Sequence, residues 1–317
     1  MPDFYTHILN GMESLKKISD PERDMIKSME NIFYLGCMGP DIFFYHNITS
    51  KSVIKLGSKM HREHCGDVIA CGLKGVKEEN DFHMDERMAY LLGYICHYAT
   101  DSVAHPFIYS RAGMYKKHQK ETFKFITSHK EMELAIDCHM AKYLYNQDIN
   151  EIKMYEFINV GERIPETIEK GYIAVLKNFF GDIISNLGHE FVNESYVYIK
   201  KAWEFFYDPY LKKRRFLKPT GLSTLFYPIN PYDKDYMNDS KDNWPDPITN
   251  DISNKTFYDI FEDSVELASD LVNTSIRYLK GNISFESMRS KIGNLSFLTG
   301  LDDSFDTKQM QYFRPIF

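Results

Sequence analysis

The stretch HYATDSVAHPF, residues 97–107, places His97, Asp101 and His105 at intervals of four residues. On an α-helix each interval turns by about 400° and rises by about 6 Å, so the three side chains lie along one stripe. The two histidines are then about 12 Å apart along the backbone, too far to share one metal ion, whereas Asp101 can bind an ion on either side. The stretch therefore predicts a helix that carries a row of metal ligands. Because proline lacks an N–H and crowds the preceding turn, Pro106 predicts that this helix bends or ends there.

A second row follows in SHKEMELAIDCH, residues 128–139, where His129, Glu133 and Asp137 are again four residues apart. Imidazole and carboxylate donors together suit zinc. Two such rows on facing helices would build a site inside a bundle, with ions about 3.5–4 Å apart that clamp the attacking and leaving oxygens of a phosphoryl transfer. Each row alone also fits a surface ion pair, but two rows of three members favour metal binding.

Most apolar residues recur at helical intervals, which predicts an all-α fold with a single multi-helix domain over residues 1–317. We predict helices at residues 3–18, 21–36, 51–78, 84–109, 115–146, 150–182, 190–212 and 255–280. Residues 217–254 interrupt the pattern with several prolines among many Asp, Asn and Ser residues, which excludes a continuous helix. A loop of this length is usually functional. Because it is rich in aromatic residues, we predict an irregular lid in which Trp244 forms part of a cleft wall.

The composition is that of an ordinary globular protein. The five cysteines have no paired spacing, which disfavours disulfides. Neither a leader sequence nor an apolar run of about 18 residues is visible, which predicts a cytoplasmic protein without a transmembrane segment. The net charge of −7 disfavours nucleic acid as a partner. The one dense basic run, residues 212–215, fits a solvated helix end better than a phosphate- or membrane-binding patch.

Several further candidates lie upstream of both rows. Asp3 and His7 share a helical face, Asp41 follows a Gly39-Pro40 turn, and His61 lies in the segment KMH. Each of them alone fits a structural or solvated role. What connects them is their order along the chain.

The order of THILNG, GPDIFFY, KMH, HYATDSVAHPF and SHKEMELAID resembles the zinc-dependent phospholipase C family. This family includes the Bacillus-type phosphatidylcholine-preferring enzymes and the N-terminal part of glycosylphosphatidylinositol-specific phospholipase D. The later segment NWPDPITND also resembles the bacterial members, so the resemblance runs from about residue 2 to about residue 270. It is most specific in residues 97–107.

The resemblance implies an all-α fold with a cluster of two or three zinc ions at the bottom of a cleft. One zinc would be held by four side chains, those of Asp41, His61, His97 and Asp101. A second zinc would be held by His105, His129 and Glu133, and a third by His7 and Asp101. Asp41 matches the carboxylate proposed as general base in the family. Asp137 has no counterpart among the ligands, so we expect it to orient His129.

The N-terminus departs from the family pattern. The secreted Bacillus enzymes bind zinc through an N-terminal Trp, which this sequence lacks. We expect Asp3, or the amine of Pro2 after removal of Met1, to take its place.

These features lead to the hypothesis of a metal-dependent phosphodiester hydrolase that acts on a phosphodiester or phospholipid, with Asp41 or a metal-bound hydroxide as the base. A zinc-dependent nuclease for single strands on the same scaffold is one alternative, since stacking on aromatic rings can replace a basic patch. The other is a non-catalytic helical protein whose metal is structural or absent, and a structural metal would have a closed site without a cleft. A phosphohydrolase with a His-Asp doublet is disfavoured, because no histidine is followed by Asp.

Overall fold

The computed structural model describes residues 4–46, 50–79 and 85–317. Helices dominate this part of the chain, which confirms the all-α prediction. The α-helices are α1 (Phe4–Leu15), α2 (Asp20–Lys27), α3 (Glu30–Gly36), α4 (Lys51–Met60), α5 (Cys65–Glu79), α6 (Glu86–Ala112), α7 (Ser128–Tyr145), α8 (Met154–Phe157), α9 (Glu166–Ile184), α10 (Phe191–Phe206), α11 (Lys212–Leu217), α12 (Phe257–Leu279) and α13 (Phe285–Ile292).

Shorter elements connect these helices. The 3-10 helices are Gly39–Tyr45, Lys120–Phe125, Ile149–Glu151, Lys218–Thr220, Leu222–Leu225 and Thr307–Gln309. Two short strands, β1 (Trp244–Pro245) and β2 (Ile252–Ser253), pair antiparallel with Trp244 opposite Ser253. Within the described residues, no helix is long and apolar enough to cross a membrane.

Helix α6 lies at the centre of the fold and packs against α1, α3, α5, α7, α9 and α12. Its N-terminus is capped by Asp85, whose carboxylate accepts a hydrogen bond from Met88 N at 2.9 Å. This bond satisfies one of the N–H groups that a first turn leaves free. Residues 92–102 are all buried. The row of predicted metal ligands on α6 therefore lies in the interior, not on an exposed face where a simple surface ion pair would form.

Helices α3 and α6 pack with their backbones in contact at two glycines. A Cβ atom on Gly36 would lie 2.0 Å from Tyr90 O, and one on Gly93 would lie 2.0 Å from Phe33 O. Larger residues would force the helices apart. This close approach sets where the chain after α3, which carries Asp41, meets α6.

At Pro106 the structure excludes one of the two predicted outcomes, an end of the helix, while a bend stays a prediction. Helix α6 does not end there but continues to Ala112. The hydrogen bond that Pro106 cannot make would go to Ser102 O, and the backbone of Gly300 approaches that carbonyl. Ala104, Phe107 and Ile108 are fully or almost fully buried on either side of the proline, so tertiary packing keeps the helix continuous.

Other differences concern helix boundaries. The predicted helices at 21–36 and 51–78 are each divided into two, with His64 in a left-handed conformation (φ 59°) at the second break. In place of the predicted helix at 115–146, the 3-10 helix Lys120–Phe125 precedes the shorter helix α7. In place of the one at 150–182, the 3-10 helix Ile149–Glu151 precedes α8 and α9. Helix α13 was not predicted. In residues 217–254 a continuous helix is indeed absent, because α11 ends at Leu217 and is followed by 3-10 turns and the β1–β2 pair. That residues 1–317 form one domain stays a prediction.

Trp244 does not occupy the place predicted for it. Its indole Nε1 donates a hydrogen bond to Lys255 O at 3.0 Å, and its ring lies edge-on against Phe107 at 5.3 Å. It is 7% exposed and belongs to the core beside α6, not to a cleft wall. The indole pairs its one donor with a buried carbonyl, which favours an interior position over the predicted lid.

Candidate metal centre

Asp101, on α6, lies at the centre of a cluster of imidazoles. Its carboxylate oxygens are 3.3 Å from His7 Nε2 and 3.3 Å from His97 Nε2. His105 Nδ1 lies at 3.8 Å and His61 Nε2 at 4.0 Å. Asp101, His7, His97 and His105 are all 0% exposed. The row on α6 thus meets side chains from α1 and from the end of α4.

Three of these histidines use one ring nitrogen to contact a backbone carbonyl. His97 Nδ1 lies 3.1 Å from Cys37 O, His61 Nδ1 lies 2.7 Å from Gly57 O, and His105 Nδ1 lies 3.2 Å from Asp101 O. Since a carbonyl only accepts, the Nδ1 atoms of His97 and His105 carry the proton and their Nε2 atoms are left with a lone pair, whereas His61 Nε2 faces the Asp41 carboxylate. This is the arrangement that a metal-binding imidazole needs.

Several buried polar atoms of the cluster have no hydrogen-bond partner in the described part of the chain. They are His7 Nε2, His97 Nε2, His105 Nε2 and both carboxylate oxygens of Asp101. The His7 and His97 nitrogens are close to Asp101, but not in hydrogen-bonding alignment. Buried polar groups are normally paired, so these atoms indicate a ligand such as a cation between them. The donor set of imidazole and carboxylate fits zinc.

Ligand atoms within 4.8 Å of one another form three groups among the described residues. The groups are His7, His97 and Asp101; Asp41, His61 and His97; and His105, His129 and Glu133. The third group has the members that the resemblance implies for the second zinc. The other two differ from the implied sets, because Asp101 is absent from the group of Asp41 and His61, and His97 also joins His7 and Asp101. His97 and His105 fall in different groups, as their separation along α6 requires.

The second row, on α7, meets the first row through His105 and His129. Their rings stack at 5.7 Å between centroids, with 17° between the planes. His129 Nε2 lies 2.8 Å from Glu133 Oε1, and Glu133 is 4% exposed. Lys130 Nζ lies 3.7 Å from the other oxygen of Glu133. The two rows therefore converge in one region of the interior.

Asp41 is held beside this region by the 3-10 helix Gly39–Tyr45. Its Oδ1 contacts His61 Nε2 at 2.9 Å. Gly39, at the start of this 3-10 helix, packs directly against the imidazole of His97. It has φ +49°, and a Cβ there would lie 2.4 Å from His97 Cδ2. Only glycine combines that conformation with such close contact to the ring.

The electrostatics of the centre lower the pKa of Asp41 and Asp101, and burial lowers the pKa of the imidazoles of His105 and His129. Burial raises the pKa of Asp41, but the imidazoles of His97 and His61 outweigh burial and hold the pKa below its usual value. In Asp101, burial is likewise outweighed by the surrounding imidazoles, so its pKa lies well below the usual value. Burial lowers the pKa of His105 to about 3. Ionised carboxylates and a neutral imidazole are the forms that bind a metal ion.

Asp137 occupies a different position from the one predicted. Its oxygens accept hydrogen bonds from Tyr5 N, Thr6 N, Thr6 Oγ1 and Tyr227 OH, so in the described structure it caps the first turn of α1 and does not orient His129. Backbone N–H groups at a helix start attract a carboxylate because they are unpaired and carry the positive end of the dipole. Asp3, the expected substitute ligand, lies outside the described residues.

A cleft of about 650 Å³ opens onto the centre. It is lined by metal-centre residues (Asp41, His61, His105, His129 and Glu133) and by apolar ones that include Phe44, Trp203, Phe206 and Leu225. Of the residues in the irregular stretch 217–254, Leu225 alone lines it within the described part of the chain. Part of the apolar wall comes from α10, through Ala202, Trp203 and Phe206, and the apolar stripe of α10 is indistinguishable from a core stripe in the sequence.

Phe297 also contacts the candidate metal centre, and no sequence pattern predicted this contact. Its ring lies edge-on to His61 at 5.3 Å and to His97 at 5.2 Å. It follows α13, in a region without any histidine or acidic pattern that would connect it to the rows. Its packing holds two imidazole planes in place.

Comparison with known proteins gives one positive result. Residues 4–180 match the family model described as zinc dependent phospholipase C. No curated protein and no solved structure shows a significant match to the chain. The matched range contains His7, Asp41, His61 and both rows.

Proposed function

Because the chain belongs to the zinc-dependent phospholipase C family, we propose that this zinc hydrolase cleaves a phosphodiester bond, with phospholipids as its substrate class. The observation that carries the proposal is the convergence of His7, His61, His97 and His105 on the buried carboxylate of Asp101. Its unpaired oxygens and the unpaired Nε2 atoms around it favour two or three bound ions.

Zinc, when bound, lowers the pKa of water toward neutrality and neutralises charge on phosphoryl oxygens. The residues of the chain supply the rest. Asp41 lines the cleft and its lowered pKa keeps it ionised at neutral pH, so it can accept the proton of an attacking water. Lys130, at the same cleft, adds a positive charge near the phosphate. The bond between phosphorus and the alcohol oxygen breaks opposite the attacking water, and the departing alcohol oxygen takes up a proton from water in the open cleft.

The cleft supports this function over the alternatives. A structural metal site is closed, whereas five of the proposed ligands (Asp41, His61, His105, His129 and Glu133) line an open cleft. A site for single-stranded nucleic acid combines aromatic stacking with a basic groove. Here the wall includes aliphatic Ile126, Leu225 and Leu298 as well as aromatic rings, and such a surface suits an acyl chain.

The test combines metal content with activity. Zinc per chain is measured by mass spectrometry, and hydrolysis is measured with a chromogenic phosphodiester and with short-chain phosphatidylcholine. Asp101→Asn is expected to lose zinc and to lower the rate by about 100-fold or more, because the ions contribute several kcal/mol to the transition state. Asp41→Asn is expected to lower kcat by a similar factor with a smaller loss of zinc.

Glu131→Gln is the matched control. Glu131 lies on α7 beside the second row, but its carboxylate contacts Lys234 and Tyr236 instead of the centre. This variant is expected to keep full zinc content and activity. Full activity after both Asp101→Asn and His97→Ala would exclude the proposed centre, and cleavage of single-stranded DNA in preference to both diesters would favour the nuclease.

A further inference from the structure

The chain between Asp208 and Asp233 combines basic residues with exposed apolar ones. Residues 209–232 contain five basic residues and no acidic one, in a chain of net charge −7. The apolar residues include Phe216, which is 83% exposed, and Tyr210, which is 75% exposed. We define the basic-apolar surface as exposed Lys212, Lys213, Arg215 and Lys218 together with Tyr210, Phe216, Leu222, Leu225 and Ile229.

This surface is presented by an anchored segment. Asp208 accepts hydrogen bonds from Lys212 N and Arg214 N, both at 2.9 Å, and so fixes the first turn of α11. Arg214 points inward and donates to Phe226 O at 3.0 Å and to Tyr227 O. The side chains of Phe226 and Tyr227 are buried. Phe216 and its neighbours are therefore exposed on a fixed scaffold.

The surface is continuous with the mouth of the cleft. Leu225 belongs to the basic-apolar surface and also lines the cleft that contains His129. The 3-10 helix Leu222–Leu225 packs on α7, the helix of His129. On another element, Ile126 lines the same cleft and is 59% exposed. The cleft thus opens between exposed apolar side chains.

We propose that the basic-apolar surface docks the protein on a lipid bilayer that contains anionic lipids, with the cleft mouth turned toward the lipid. This inference rests on the proposed function, since it states where the phospholipid substrate is met. The sequence of residues 212–215 favoured a solvated helix end, but the structure puts exposed apolar side chains beside these basic ones, which is the composition of an interfacial surface. Each Lys or Arg near an anionic membrane tightens binding by about fivefold. Aliphatic Leu222 and Ile229 suit acyl chains, whereas nucleic-acid sites rely on stacking rings.

Vesicle sedimentation tests the proposal. The zinc-loaded protein is incubated on ice with vesicles of phosphatidylcholine, with or without phosphatidylglycerol. We expect binding to the anionic vesicles at least about 10-fold tighter than to phosphatidylcholine alone, and weaker binding at high salt. Phe216→Asp, and Lys212→Glu combined with Arg215→Glu, are each expected to weaken binding by at least about 10-fold.

Two matched controls lie elsewhere on the chain. Ile252→Asp changes another apolar residue that is 63% exposed, and Lys170→Glu combined with Lys291→Glu reverses two charges on α9 and α13. Both are expected to bind vesicles like the natural sequence. Equal losses in the controls, or no vesicle binding at all, would overturn the proposal. If the natural protein forms a dimer that Phe216→Asp dissociates, and the natural protein does not bind vesicles, the surface binds a second copy of the chain and the proposal is wrong.

Hydrolysis of the soluble chromogenic diester is measured on the same samples. Hydrolysis without vesicle binding leaves the proposed function intact and rejects the docking surface. Vesicle binding that depends on Phe216, without hydrolysis of any diester, supports the surface and rejects the proposed function. The two proposals therefore fail separately.

Discussion

The backbone N–H of Thr6 donates a hydrogen bond of 2.9 Å to Asp137, which joins α7 to the helix that carries His7. The Thr6 hydroxyl donates to the same oxygen at 2.5 Å, and Tyr5 N and Tyr227 OH donate to the other, both at 2.9 Å. Since His7 is the next residue after Thr6, Asp137 holds a predicted zinc ligand in place through the backbone.

Asp137→Asn is therefore expected to loosen the start of α1. An amide group cannot accept all four hydrogen bonds, and a buried donor without a partner costs about 1–3 kcal/mol. We expect the free energy of unfolding to fall by about 2–4 kcal/mol and zinc affinity to fall about 10-fold or more. Urea denaturation and a competitive zinc titration measure the two effects. Tyr227→Phe, which removes one of the four donors, is the control and should cost about 1 kcal/mol. Equal stability of Asp137→Asn and the natural sequence would contradict this role.

Gly39→Ala is expected to disturb His97. The added Cβ would meet the imidazole at 2.4 Å, in a left-handed conformation that costs about 1–2 kcal/mol without glycine. We expect lower stability and about 10-fold weaker zinc binding, because the ring must move. Gly75→Ala, in α5, is the matched control. A Cβ there meets nothing within 4 Å, so the variant should gain about 0.5–1 kcal/mol of helix stability. Zinc binding by Gly39→Ala equal to that of Gly75→Ala would show that this contact is unimportant.

The two rows could be predicted because helical periodicity is a local property of the sequence. His97, Asp101 and His105 share a face whatever surrounds the helix, and so do His129 and Glu133. The role of Asp137 could not be read in this way, since its donors Tyr5 and Thr6 lie more than 130 residues away. The spacing puts His129, Glu133 and Asp137 on the same face of α7. Only the packing of α1 against that helix shows that Asp137 has a different role.

The cleft wall shows the same limit. The chain has two tryptophans, and the irregular stretch around Trp244 suggested that this one lined the cleft. The structure places Trp203 there instead. Both rings are largely buried, and a tryptophan on an apolar helix stripe has the same sequence signature in a core and at the bottom of a cleft. Tertiary packing alone decides between them.

The metal-free protein is expected to lose stability as the pH falls from 7 to 5. Burial lowers the pKa of His105 to about 3, whereas an unfolded histidine titrates near 6.5. Below about pH 6.5 the unfolded chain therefore binds a proton at His105 that the folded chain does not bind. The contribution of His105 to the free energy of unfolding is complete well above pH 6.5 and is lost as the pH falls. His105 alone accounts for a loss of about 2 kcal/mol between pH 7 and pH 5.

Urea denaturation of the metal-free protein at several pH values measures this slope. His105→Gln should be less dependent on pH over the same range by that amount, because glutamine does not titrate. The lowered pKa values of Asp41 and Asp101 act only below about pH 4, outside this window. Parallel slopes for the two proteins would show that His105 is as easily protonated in the folded chain as in the unfolded one.

Phe206 and Phe205 offer a test of which substrate the cleft accepts. Phe206 lines the cleft, whereas its neighbour Phe205 is 49% exposed and does not. If the apolar wall binds acyl chains, Phe206→Ala removes part of the contact between the ring and the acyl chain. Substrate binding then weakens by about 1.4 kcal/mol or more. We expect KM for short-chain phosphatidylcholine, kept monomeric, to rise about 10-fold. The small chromogenic diester has no acyl chain, so its KM should not change. Phe205→Ala should leave both constants unchanged, since its ring lies outside the cleft. An equal rise for both substrates in Phe206→Ala would mean that the ring supports the fold of the centre instead of contacting the acyl chain.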